Sequence, residues 1–231
     1  MKEDLSWNLQ QLRGRILEAC EEYDRDADDI TIVAVTKTHP PAVIRTAVAA
    51  GLHNIGESRV QEAETKIAEV GPIARYHMVG HLQSNKARTA VEIFDVIQSV
   101  DSLKLAKEID KHAAQIDRTI ECLIQVNCSG EEQKFGVAPD ETIVLVKAVH
   151  AMENIELTGL MTIGPLTDDK ERVREAFRKC CELFEQGQDI VGDDFEQLSM
   201  GMTDDFELAI AEGSTMIRIG TALFGPRQPR E

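Results

Sequence analysis

Three kinds of residue in this 231-residue sequence have the chemistry to act together. Lys37 closes the apolar run Ile32-Val33-Ala34-Val35. A lysine desolvated where a strand leaves a core has a lowered pKa and becomes an amine nucleophile toward carbonyls. Ser199-Met200-Gly201 and Gly220-Thr221 stand far along the chain and combine hydroxyl donors with glycines. A glycine backbone lets N–H groups approach an anion closely. Arg218 stands just ahead of Gly220 and stays cationic at neutral pH. Singly, each has a plain structural explanation. A lysine stem snorkels out of a strand end. The serine and glycine pairs make strand-ending turns, and Arg218 would pair with Glu57 or another strand-end acid. The three groups form one site only if the fold brings residues 37, 199–201 and 218–221 together.

The pattern of elements predicts such a fold. Residues 5–23 read as a helix, with Leu5, Leu9, Leu12, Ile16 and Leu17 on one face and Cys20 continuing it. Residues 31–37 read as a β-branched strand covered on both faces, ending at Lys37. Pro40-Pro41 suits the first turn of the next helix, and Gly51 stops it. Further strands are expected over residues 52–55, 75–79, 95–100, 119–126, 157–161, 195–198 and 215–219, with helices between them and Ser84 capping the one that carries Asn85, Lys86 and Arg88. About eight strands alternating with helices, with no linker, predict a single (β/α)8 TIM barrel over residues 1–231, residues 1–28 forming an extra flanking helix at the N-terminus. An open doubly wound sheet is the alternative, and the first strand is followed by no GxGxxG.

In a closed barrel the eighth strand neighbours the first. Lys37 then lies beside the loops after strands seven and eight, where this fold commonly seats a phosphate. A nucleophilic lysine beside a phosphate cradle suggests pyridoxal 5'-phosphate held as an internal aldimine. Arg218, one strand over, would face the pyridine nitrogen. A guanidinium there keeps that nitrogen unprotonated and makes the ring a weaker electron sink than a carboxylate partner would.

Composition narrows the remaining classes. Forty-one acidic against 25 basic residues give a formal charge of -16, which repels phosphate backbones and anionic lipid, so neither nucleic acid nor a membrane surface is expected as a partner. No apolar run is long enough to span a bilayer. The five cysteines are odd in number and lack metal-ligand spacing, which fits reduced thiols and no metal site. Met1-Lys2-Glu3-Asp4 leads into an amphipathic segment without an apolar signal region, so a cytoplasmic location is expected, and a barrel that buries its own core is expected to be a monomer.

The motifs also carry a family resemblance. AVTKTHP around Lys37, IGESRVQEA around Glu57, YHMVGHLQSNK from Tyr76 to Lys86, SVDS at Ser99 to Ser102, QVNCSGEEQKFG from Gln125 to Gly136, LTGLMTIGP from Leu157 to Pro165, LSMGMTDDFELAI from Leu198 to Ile210 and IRIGTALFG from Ile217 to Gly225 occur in one order. Together they resemble the YggS/PROSC family of pyridoxal phosphate homeostasis proteins. The resemblance implies a fold type III barrel similar to the cofactor domain of alanine racemase. It implies Lys37 as the aldimine lysine, Arg218 near the pyridine nitrogen, and Ser199, Gly220 and Thr221 on the phosphate; Met200 and Gly201, in the turn that Ser199 opens, are expected to bind the cofactor with them. Ser58 stands where the family commonly has an asparagine, and Tyr76-His77-Met78-Val79-Gly80 replaces its usual Trp-His-Phe-Ile-Gly. The implied function is reversible holding of the cofactor, with buffering or delivery to apoenzymes that depend on it, and no assigned catalytic residue. A racemase of low activity is the alternative; the chain has only Tyr23 and Tyr76 to offer as a tyrosine base. His77 reads as a core histidine, His81 and Lys86 are left open, and Lys134 reads as a solvated loop cation.

Overall fold

The computed structural model describes residues 5–131 and 133–225. The two ends of the expected domain, residues 1–4 and 226–231, and Glu132 of the polar loop lie outside the described residues. The chain runs α1 (Leu5–Glu22), β1 (Thr31–Val35), α2 (Pro41–Ala49), β2 (Asn54–Glu57), α3 (Val60–Val70), β3 (Arg75–Met78), α4 (Ala87–Ile93), β4 (Val96–Val100), α5 (Leu103–Ala114), β5 (Ile120–Val126), α6 (Pro139–His150), β6 (Ile155–Thr162), α7 (Lys170–Val191), β7 (Gln197–Ser199), α8 (Phe206–Ala211), β8 (Met216–Ile219) and α9 (Thr221–Phe224). The eight strands are all parallel and close into a barrel in sequence order. The seam forms by pairing of β1 with β8, including Ile32 with Ile217 and Val33 with Arg218. The expected (β/α)8 barrel is therefore the fold, and the open sheet is excluded.

Burial explains why these segments are strands. Every residue of β4 and β5 is buried, as parallel strands covered by helices outside and side chains inside must be. The main core lies between sheet and helices and includes Ile55, Ile97, Ile124, Phe177, Phe195, Ile217 and Ile219. Two smaller apolar clusters remain, one of Val33, Val35, Val79 and Met216 and one of Val96, Leu123 and Met161. The alternation of β1 and β8 assigns these to the barrel interior: Val33, Val35, Met216 and Arg218 share one side of the strands, whereas Ala34, Ile217 and Ile219 join the helix-facing core.

Helix α1 packs against α8 and α9, where Asn8 Nδ2 donates to Leu223 O at 3.0 Å. Leu9, Leu12, Ile16 and Cys20 are buried as expected, but Leu17 is exposed. One residue past Ile16, it has rotated off the narrow stripe that meets the barrel. Ser84 does not cap a helix with its side chain. It opens a short 3-10 turn, Ser84–Lys86, that leads into α4. Strand β1 stops at Val35, two residues before Lys37, because the chain turns there and Thr38 takes a left-handed backbone with φ +68°. Among the described residues no helix is long and apolar enough to cross a membrane.

Candidate functional site

The turn that carries Lys37 is stapled from below. Thr36 is fully buried; its hydroxyl donates to Glu57 Oε1 at 2.6 Å, and its carbonyl accepts from Lys66 Nζ at 2.8 Å. Lys66 comes from α3 and also pairs with Glu57 at 2.8 Å and Glu62 at 2.7 Å. Glu62 in turn accepts the Thr38 N–H. Both residues flanking Lys37 are thus bonded to one buried ion cluster, and the Lys37 side chain is half-buried at the C-terminal mouth of the barrel. Burial pushes the Glu57 carboxyl up, against the opposing pull of Lys66 and Thr36. Glu57 is engaged here, so it is not the partner of Arg218.

Arg218 is 4% exposed and sits inside the barrel. Its Nη1 donates to Ser199 Oγ at 2.7 Å and its Nη2 to the Thr162 carbonyl at 2.7 Å. Its backbone N–H donates to Gly201 O at 3.0 Å, which ties β8 to the loop after β7. Burial lowers its pKa to about 10, with Asp205 and Cys180 opposing, and it stays cationic at neutral pH. Among the described residues no carboxylate lies within 4 Å of the guanidinium. A buried cation held only by neutral oxygens keeps donors and charge for another electron-rich group.

The remaining expected residues fall into two sets. Gly201, with φ +93°, packs so closely on α8 that an added Cβ would lie 2.6 Å from Ala209 Cβ and 2.9 Å from Phe206 Cα. Gly220 and Thr221 begin the single turn α9 at the end of β8, next to Val35 of β1, and Thr221 is exposed. Ser58 follows β2 at the same mouth and is half-buried, with Gly80 pressed on its backbone. Ser199 and Met200 are fully buried: the Ser199 hydroxyl is taken up by Arg218 and by Gln98 Oε1 (2.7 Å), and the Met200 N–H donates to Met216 O. The barrel therefore gathers Lys37, Ser58, Gly201, Gly220 and Thr221 at one mouth with Arg218 beneath them, and Ser199 and Met200 behind Arg218.

Two residues on this wall were not singled out from the sequence. Thr162 contributes only a backbone carbonyl to Arg218, and Gln98 stands beside Ser99 in a strand whose other residues are Val and Ile. A buried Gln-Ser pair inside an apolar run is the one local signal available. His77 is buried, as expected of a core histidine, and burial lowers its pKa to about 3. His81 stacks on Phe135 with ring centroids 3.7 Å apart and lies near Asp101. Lys134 is tied to Glu131 at 2.9 Å and to Gly164 O at 2.8 Å, rather than being free in solvent. Lys86 is half-buried at the end of the 3-10 turn.

A (β/α)8 barrel with a lysine after its first strand and a buried arginine on its eighth has a family match. Residues 8–228 match the model described as "Alanine racemase, N-terminal domain". The chain is 40% identical over 228 residues to a pyridoxal phosphate homeostasis protein of Haemophilus influenzae, covering 97% of this chain and 96% of the relative. It belongs to that family of homologues. Its structure superposes on that of PipY from Synechococcus elongatus with PLP bound, at a TM-score of 0.82, 35% identity, and coverage of 96% and 100%. Alanine racemase from Corynebacterium glutamicum shares the fold at a TM-score of 0.73 and 19% identity, over 96% of this chain but 60% of that one.

Proposed function

We propose that this chain binds pyridoxal 5'-phosphate as a Schiff base on Lys37 and serves cofactor homeostasis, by buffering the cofactor or delivering it to apoenzymes. The observation that carries the reading is Arg218: a buried guanidinium without a carboxylate in contact among the described residues, one strand from a half-buried lysine, at the seam of a closed barrel. Its free N–H donors fit a pyridine nitrogen, and its fixed charge disfavours a proton on that nitrogen. The cofactor supplies an aldehyde for imine formation and a ring that draws electrons. Lys37 would hold it, on a turn fixed through Thr36 and Thr38. The glycine backbones at Gly201 and Gly220 and the Thr221 hydroxyl would cradle the phosphate, with Ser58 beside the ring. Ser199 and Met200 would act through Arg218 and the β7 end. The relatives' names and the PLP-bound neighbour support cofactor binding and a part in its homeostasis.

The racemase alternative asks for a tyrosine base at this mouth. Tyr76 is buried, and its hydroxyl donates to the Gly71 carbonyl at 2.9 Å in the segment that precedes β3. That is the N-terminal end of the barrel, so holding the cofactor is the better-supported use. The test is direct. The protein incubated with the cofactor absorbs in the visible, and borohydride reduction followed by peptide mapping places the adduct on Lys37. Lys37→Ala loses the band and the adduct. A colourless wild-type protein, or an adduct on another lysine, overturns the reading. Exchange of an amino-acid α-proton in deuterated water by the loaded protein would favour the racemase.

A further inference from the structure

Behind Arg218 a chain of hydrogen bonds crosses the whole barrel interior. Arg218 Nη1 donates to Ser199 Oγ, Ser199 Oγ donates to Gln98 Oε1 at 2.7 Å, Gln98 Nε2 lies 2.9 Å from His77 Nδ1, and His77 Nε2 lies 3.0 Å from Asn54 Oδ1. The five residues come from β8, β7, β4, β3 and β2. We propose that Gln98, backed by His77 and Asn54, is a positioning residue for Arg218: it takes the Ser199 proton and so turns Ser199 into a pure acceptor for the guanidinium. The inference rests on the cofactor reading above and names the residues that aim its arginine.

The directions follow from the donor inventory. An amide nitrogen only donates, so His77 Nδ1 must accept, and the one ring proton of a neutral imidazole must sit on Nε2, where Asn54 Oδ1 receives it. Gln98 Nε2 also donates to Met216 Sδ at 3.1 Å. Turning the Gln98 amide over would aim two donors at Ser199 Oγ and leave the serine proton without an acceptor. It would also set the amide oxygen against the thioether sulfur. Only one orientation satisfies every group, and buried groups left unsatisfied are strongly disfavoured. Val33, Val35, Val79 and Met216 form one apolar cluster in the interior and Val96, Leu123 and Met161 another, while His77 and Asn54, at the far end of the line, border an open polar cavity. Ser199 and Gln98 are both fully buried, which removes solvent as an alternative acceptor for the serine proton.

Two substitutions separate positioning from packing. Gln98→Met keeps the volume and removes every hydrogen bond. It is expected to weaken cofactor binding about fivefold, as the loss of one net hydrogen bond implies, and to shift the absorption band of the bound cofactor. Gln98→Glu keeps an acceptor for Ser199 but presents an acceptor to His77 as well. It is expected to hold the cofactor more tightly than Gln98→Met and to move the His77 proton from Nε2 to Nδ1, read from the imidazole 15N shifts of the apoprotein. Wild-type affinity and band position in Gln98→Met, or an unchanged His77 tautomer in Gln98→Glu, would overturn the proposal. Should Gln98→Met not fold, the tautomer and affinity of Gln98→Glu decide. A wild-type protein that takes up no cofactor overturns the cofactor reading itself, while the apoprotein 15N shifts still report whether Gln98 sets the line.

Discussion

At the scale of residues, the site depends on charges that the barrel has taken out of water. Lys66 and Glu57 are the clearest pair: side-chain exposures of 6% and 0%, joined at 2.8 Å, with the backbone of Thr36 as a third partner. Removing Lys66 leaves Glu57 buried without its counter-ion, a loss that typically destabilises by about 3–5 kcal/mol, whereas exposed pairs such as Lys179–Glu182 contribute about 0–1 kcal/mol. Lys66→Met is therefore expected to lower stability by about 3 kcal/mol in urea unfolding, and addition of Glu57→Gln to recover part of that loss. Because Thr36 and Thr38 both hang on this cluster, the single variant should also slow borohydride-trapped labelling of Lys37. Equal losses in the single and double variants would show that Lys66 and Glu57 do not act as a pair. Lys37 and Arg218 are legible in the sequence, since a charge that closes or interrupts a β-branched run stands out. Their partners are not. Whether Arg218 meets Glu57, as the sequence allows, or Ser199 and Thr162 depends on which way side chains turn inside the barrel. Glu57 turns outward to α3 and Arg218 inward, and residue types alone do not reveal that.

At the scale of elements, strand ends and the close approaches between them set the mouth. Elements and their order are legible because hydrophobic period and glycine or proline punctuation are local. Their last residues are less so: β1 stops at Val35, and the turn that carries Lys37 exists because Thr38 adopts φ +68° and Glu62 accepts its N–H. Gly80 shows how tightly such ends are fitted. A Cβ there would stand 2.3 Å from the Ser58 carbonyl oxygen and 2.8 Å from its Cα, so the loop bearing Ser58 would have to move. Gly80→Ala is expected to cost about 1–3 kcal/mol of stability and to weaken cofactor binding through Ser58. Gly14 is the contrast: it lies inside α1 with nothing within 4 Å of an added Cβ. Gly14→Ala is expected to stabilise the protein by about 0.5–1 kcal/mol, from helix propensity alone, with cofactor affinity unchanged. Thermal melts and cofactor titrations of the two variants, run together, check both signs. A Gly80→Ala protein with wild-type affinity would show that the loop relaxes without reaching the site.

At the scale of the whole molecule, the formal charge of -16 and the local chemistry of the barrel mouth act in opposite directions on the same ligand. A phosphate ester carries roughly -1.5 to -2 charges at neutral pH. It is repelled by the protein at distances beyond a Debye length and attracted by Lys37 and Arg218 only once it reaches the mouth. The Debye length is about 30 Å at 0.01 M salt and about 8 Å at 0.15 M. Added salt therefore removes most of the long-range repulsion, while Arg218, buried with few mobile ions near it, is screened little. The rate of cofactor association with the apoprotein is expected to rise on the order of a few-fold between those two conditions, the reverse of a protein that steers an anion by its net field. Stopped-flow absorbance of cofactor uptake over that salt range measures it. An association rate that falls with salt would mean that the positive groups of the mouth dominate the field out to the distance at which the ligand is captured, so that local charge rather than net charge governs entry.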